Sequence, residues 1–155
     1  MKKQKGFSLI ELLIVVAIIL IIAAIAIPNL IKSKMAANEA AAVGALRTLT
    51  TAEIAYATAC PNIGFTQTLA DLGSAATCPG GNNQIDSTLQ SGNKSGYSFG
   101  LTAATSGTST ALVLFTANAD PQGPSSGTRR FFVDQTGVIR YNQTATANVN
   151  DNALQ

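Results

Sequence analysis

The chain has 155 residues, ten lysines and arginines against eight aspartates and glutamates, and no histidine. Without histidine the usual Ser-His and Cys-His nucleophile pairs are ruled out, and no Gly-Lys-Ser/Thr loop is present to cradle a phosphate. A formal net charge of +2 gives no global case for nucleic acid or an acidic substrate, so no catalytic, metal or cofactor constellation emerges.

The first six residues carry Lys2, Lys3 and Lys5 and no acid, and an almost wholly apolar run of residues 7–31 follows. That run exceeds the roughly 20 residues that cross a hydrocarbon core as a helix. The lysines ahead of it favour a cytoplasmic amino terminus and an exported carboxyl-terminal part, a bias made modest by Lys32 and Lys34 behind it. A secretory signal peptide places its small-residue cleavage site after a short apolar stretch, whereas here Gly6 precedes a long one. Cleavage at Gly6 therefore leaves the apolar segment on the product. Glu11 is the anomaly, because a carboxylate inside a membrane segment costs about 2.5 to 3.5 kcal/mol near its centre and marks a functional partner.

The stretch Lys5-Gly6-Phe7-Ser8-Leu9-Ile10-Glu11-Leu12-Leu13-Ile14-Val15-Val16 resembles the class III leader and mature start of a type IV prepilin. Type IV pilins and type II secretion pseudopilins share this pattern, and the resemblance covers about the first 35 residues. It implies that a membrane prepilin peptidase cuts between Gly6 and Phe7 and methylates the new amine of Phe7. It also implies that Glu11 is the matched acid of the family. The residue types suit that chemistry. Gly6, lacking a side chain, lets a protease backbone approach closely. The cut leaves a charged amine on Phe7, with Glu11 one helical turn along, roughly 6 Å up the axis. In an apolar phase an amine and a carboxylate each lower the cost of burying the other. The expectation is that Glu11 of an incoming subunit pairs with the Phe7 amine of a neighbour and sets the axial register. A snorkelled or intrahelical carboxylate with no assembly role is the alternative. Loss of the three leader lysines takes the side-chain balance from +2 to −1. Pro28 removes one backbone donor inside the run and is read as a helix kink, at the family position near which the helix bends or loosens, with Asn29 and Gly44 easing the adjustment.

Residues 32–59 continue the helix as an alanine-rich, proline-free stretch that places Val43, Leu46, Thr50, Ile54 and Ala57 on one face. Cys60-Pro61 is the natural stop. Unbroken from Phe7, such a helix runs roughly 80 Å. Glu53 falls near the apolar face and reads as a surface carboxylate at the edge of the contact; a buried partner, Arg140 or a tyrosine hydroxyl, is the alternative.

Cys60 and Cys78 are the only cysteines and lie on the exported side, so they read as a disulfide worth roughly 3 kcal/mol in the chain-entropy model. Residues 69–72 read as a short helical turn. Tyr97, Phe99 and Leu101 alternate with small residues as in a half-buried strand, and residues 111–117, apolar throughout apart from Thr116, read as a central strand with both faces covered. A loop is expected over residues 120–127. The segment Asp134-Gln135-Thr136-Gly137 joins residues 129–133 and 138–142 as a hairpin, and a bulge at Gly137 sets Phe131 against Tyr141 and Val133 against Ile139. Asp134 alone supplies too few hard ligands for calcium. Lys94, Arg129, Arg130 and Arg140 read as ion-pair formers, and no strong nucleic-acid signal results. Asn93 and Asn142 stand in short glycosylation patterns. Residues 145–155 read as a loose polar tail.

Together these readings give an α+β, type IV pilin-like fold, with the helix as one layer and a small antiparallel sheet as the other. The expected division is a leader (1–6), a transmembrane or filament-core helix half (7–31) and a globular domain (32–155). Within the domain lie the amphipathic helix half (32–59), a loop (60–95), the sheet (about 96–142) and a tail (143–155). The resemblance implies a structural subunit, stored in the bacterial inner membrane among lipid and then drawn by an assembly platform and motor into a homopolymer on the cell surface. Head-to-tail contacts of that kind propagate without closing. The alternatives are a pseudopilin building a periplasmic piston and, less favoured, a membrane-anchored periplasmic binding module.

Overall fold

Pro28 does not end the first helix. In the computed structural model, which describes residues 7–74, 78, 84–107 and 110–154, a single helix α1 spans Leu9–Ala59 with Pro28 inside it. At 1.5 Å per residue it is about 75 Å long. It stops where the sequence requires: Cys60, ahead of Pro61, leaves helical angles at φ −129° and ψ 69°, and its N–H still reaches the Tyr56 carbonyl at 2.9 Å. Two four-residue helices follow, α2 (Leu69–Leu72), at the expected turn, and α3 (Ser87–Gln90). Each has a side-chain cap, Thr68 accepting from the Asp71 N–H and Asp86 from the Leu89 N–H. The leader residues, Gly6 among them, lie outside the described residues.

Among the described residues six strands form one antiparallel sheet in sequence order: β1 (Asn93–Lys94), β2 (Tyr97–Ala104), β3 (Leu114–Pro121), β4 (Arg130–Asp134), β5 (Arg140–Asn142) and β6 (Asn152–Ala153). Tyr97, Phe99 and Leu101 turn inward, as their alternation predicts. The bulged hairpin has the expected register, with Phe131 opposite Tyr141. Gly137 sits at φ 73° and donates to the Asp134 carbonyl at 2.9 Å, a backbone conformation other residues rarely adopt.

Three expectations are corrected. The strand placed at residues 111–117 begins at Leu114 and runs on to Pro121 through part of the expected loop. Only Phe115, Ala117 and Ala119 are buried in it, so it alternates rather than hiding both faces. Phe115 alone supplies bulk on that inner face, and pairing with β2 along its whole length decides its extent. The contact face of α1 keeps Leu46 from the predicted set but is centred one residue earlier: Ala42, Ala45, Leu46, Leu49, Ala52, Glu53 and Tyr56 are buried, Val43 is half-buried, and Ile54 is 53% exposed. Ala42, Ala45 and Ala52 are small enough for a helix to lie close on a sheet, and they occupy the buried face beside which Ile54 is left exposed. The tail is not loose. Residues 152–153 pair with β5, the Leu154 N–H reaches the Ile139 carbonyl at 2.8 Å, and Asp151 accepts from Asn142 Nδ2 and the Asn148 N–H. Ala147 is buried over the outer side of the sheet and accepts from Asn118 Nδ2 at 3.0 Å, leaving Phe132 also buried on that side.

The core therefore lies between the second half of α1 and the sheet, around Leu46, Leu49, Tyr56, Tyr97, Phe115, Phe131 and Val133. The connection from α1 to β1 is stapled to it twice. Cys60 and Cys78 form a disulfide with Cα atoms 6.1 Å apart. Gly64 makes a parallel bridge to Leu112 at φ 80°, where a Cβ would stand 2.1 Å from the Leu112 carbonyl oxygen. Replacing both cysteines by alanine is expected to lower the stability of the detergent-solubilised chain by about 3 kcal/mol. Denaturant titration followed by circular dichroism checks this.

Candidate functional site

Two regions carry the chemistry: the amino-terminal half of α1, and the point where that helix enters the domain. From residue 7 to residue 34 every side chain except Ala23 is exposed, Leu9 at 80% and Leu30 at 70%. This helix is long and apolar enough to cross a membrane. Glu11 stands in its first turn, where a carboxylate favours the positive end of the helix dipole. Ser8, in extended conformation at the amino-terminal cap, makes no side-chain capping bond, so Glu11 is the acidic group of this end. Among the described residues Glu11 has no ion-pair partner; α1 begins at Leu9 and Ser8 is extended, so Phe7 lies ahead of the helix and not one helical turn below Glu11. Pro28 cannot donate to the Ala24 carbonyl, which leaves one acceptor of the ladder without its usual partner.

The anchor of the helix on the domain is Glu39, the first buried residue of α1 and one that sequence reasoning missed. Its Oε1 accepts from the Thr128 N–H at 2.8 Å, the Thr128 hydroxyl at 3.0 Å and the Arg129 N–H at 3.2 Å. Its Oε2 accepts from Arg129 Nε at 2.7 Å. Burial alone raises the carboxyl, but the Thr128 and Arg129 donors together outweigh it and hold Glu39 below its ordinary range. Beside it Asn38 Nδ2 donates to the Ser126 carbonyl at 2.9 Å. The Arg129 guanidinium lies 5.6 Å from the ring centres of both Phe131 and Tyr141, and the Tyr97 hydroxyl donates to the Arg129 carbonyl at 2.8 Å. The segment joining β3 to β4 is thereby fixed across the helix. The signal was there in spacing: Glu39, Ala42, Leu46, Leu49, Glu53 and Tyr56 recur at three and four, with both acids on the buried face.

Glu53 corrects the expectation of a surface carboxylate. It is 0% exposed, accepts from the Thr66 N–H at 3.0 Å through Oε2, and its Oε1 has no hydrogen-bond partner among the described residues. Arg140 is elsewhere, donating to the Asp151 carbonyl. Burial pushes Glu53 up to about 7; the Thr66 N–H opposes this and the Asp71 charge adds to it. Of the other cations expected to form ion pairs, Lys94 meets Asp86 at 2.6 Å and Arg130 meets Asp120 at 3.3 Å, whereas Arg140 forms no ion pair among the described residues.

The two acids make opposite contributions to stability. Glu39, lowered on folding, stabilises the domain above its ordinary pKa, and that stability is lost as pH falls through the lowered value. Glu53, raised on folding, contributes stability that is fully present below its ordinary 4.5 and lost as pH rises through about 7. Glu39→Ala is expected to cost on the order of 2 kcal/mol at neutral pH, because the Thr128 and Arg129 N–H groups lose their acceptor. Glu53→Gln is expected to flatten the loss of stability between about pH 5 and about pH 8. Thermal melts across that pH range test both.

Residues 1–27 match the family model described as the prokaryotic N-terminal methylation motif. The chain is similar to the type IV wide pilus major component PilA4 of Thermus thermophilus, 59% identical over 39 residues, which is 25% of this chain and 30% of that protein. It is also similar to the type IV major pilin protein PilA of Myxococcus xanthus, 50% identical over 54 residues, or 35% of this chain and 24% of that protein. The chain thus spans under a third of the length of these curated relatives. No solved structure matches it significantly.

Proposed function

We propose that this chain, a member of the type IV pilin family by its methylation motif and its homology to type IV pilins, is a structural subunit of a type IV pilus filament. The observation that carries the reading is the uncovered apolar half of α1, which opens on that motif and holds a single acid, Glu11. A helix with this surface has two stable settings, lipid or other copies of itself. The domain accompanies it as an α+β body whose polar outer residues suit water in either setting.

The order of events follows from those two settings. The chain sits in the bacterial inner membrane with its amino terminus in the cytoplasm, and a prepilin peptidase cuts between Gly6 and Phe7. The peptidase then methylates the Phe7 amine. An assembly platform and motor withdraw the helix from lipid and stack it among its neighbours. In that apolar setting Glu11 of the incoming subunit meets the Phe7 amine of the subunit before it, so each charge has a partner and the axial step is defined. Pro28, with one ladder bond missing, gives the helix a place to bend or loosen as it is drawn out.

Glu11→Ala is expected to leave membrane insertion and cleavage intact while the yield of sheared surface filaments drops to background. Normal filament yield from that variant would sink the pairing. Mass spectrometry of mature protein should find Phe7 at the amino terminus carrying one extra methyl group. A tagged chain found only in the periplasm, with protein export lost on deletion, would replace the pilus by a pseudopilus.

A further inference from the structure

The face of α1 that carries Glu39 continues toward the apolar half through Ala36, Met35 and Lys32, three, four and seven residues earlier. The segment between β3 and β4 leans over that face, held by Thr128 and Ser126. Between them is a notch of about 250 Å³ lined by Lys32, Met35, Ala36, Glu39 and Thr128. It starts one residue beyond the apolar run, so in a spanning helix it opens at the level of the lipid headgroups. This placement rests on the membrane-resident stage of the function proposed above.

The charges in the notch are unequal. Glu39 is met by Arg129 Nε and by three further donors, so its negative charge is already compensated. Lys32 is exposed and has no hydrogen bond or ion pair with any described residue. Met35 and Ala36 supply an apolar wall beside it, and methionine adapts its shape readily. Lys34, two residues on, lies about 200° around the helix and does not line the notch.

We propose that this notch holds the headgroup of an anionic phospholipid, with the Lys32 ammonium on the phosphate and Met35 and Ala36 against the glycerol and first methylenes. The lipid then marks the depth at which the stored subunit sits and leaves when the helix is withdrawn.

The test uses the full chain in phosphatidylcholine vesicles carrying either spin-labelled phosphatidylglycerol or spin-labelled phosphatidylcholine, with the motionally restricted fraction as readout. Wild type is expected to prefer phosphatidylglycerol. Lys32→Gln is expected to lose about fivefold of that preference, the equivalent of about 1 kcal/mol for one cation near the surface. Lys34→Gln removes the same charge from the far face and is expected to keep the preference. Equal loss in the two variants would reduce the effect to diffuse charge and overturn the site, as would the absence of any preference in wild type. Suppression of the preference by inorganic phosphate at unchanged ionic strength would reassign the notch to free phosphate. A chain that stayed in the aqueous fraction would instead overturn the membrane-resident reading itself.

Discussion

Roughly half of α1 has no partner within its own chain, and most of the molecule's organisation follows from that. Leucine, isoleucine and phenylalanine side chains each gain about 1.5 to 3 kcal/mol on leaving water. From Phe7 to Ile31 they point in every direction around the helix, so no single face laid on the domain could satisfy them. Only a surrounding phase does so, whether lipid or a bundle of like helices. The lone carboxylate in this segment is then expensive in any setting that lacks a cation, which is why the motif at its start matters more than its length.

The domain solves the complementary problem of holding one end of such a rod. Its contact with α1 is fixed at its near end by Asn38 and by Glu39, a buried acid satisfied by four donors, rather than by an apolar side chain. Hydrophobic contact is non-directional and would tolerate sliding of an alanine-rich helix along a sheet. Four hydrogen bonds to one carboxylate do not tolerate it. Above that point Ala42, Ala45 and Ala52 bring the helix close, and Leu46, Leu49 and Tyr56 fill the space against Phe115, Phe131 and Val133. The disulfide and the Gly64 bridge secure the far end, where the chain leaves the helix.

The elements that could be read in advance were those set by local rules. The helix stop at Cys60-Pro61, the turn over Leu69–Leu72, the alternation in β2 and the Gly137 bulge each follow from a few neighbouring residues. The readings that failed depended on distant partners. Ile54 looked like core, yet it is exposed beside the buried alanine face. Glu53 looked like surface, yet the Thr66 N–H meets it in the interior. The tail looked loose because its residues are small and polar. Asn118, Asn142 and Asp151 nevertheless hold it, and its last strand closes the sheet.

By itself, then, the sequence determined the membrane-length apolar helix, the acid near its start, the cysteine pair and the hairpin register, since each is a matter of spacing along one strand of chain. Tertiary structure alone decided which side of the helix is buried, how Glu39 and Arg129 come together across 90 positions, and that Lys32 ends beside a notch while Lys34 does not. The physical reason is that burial and charge compensation are properties of the space between elements, and that space exists only after helix and sheet have packed.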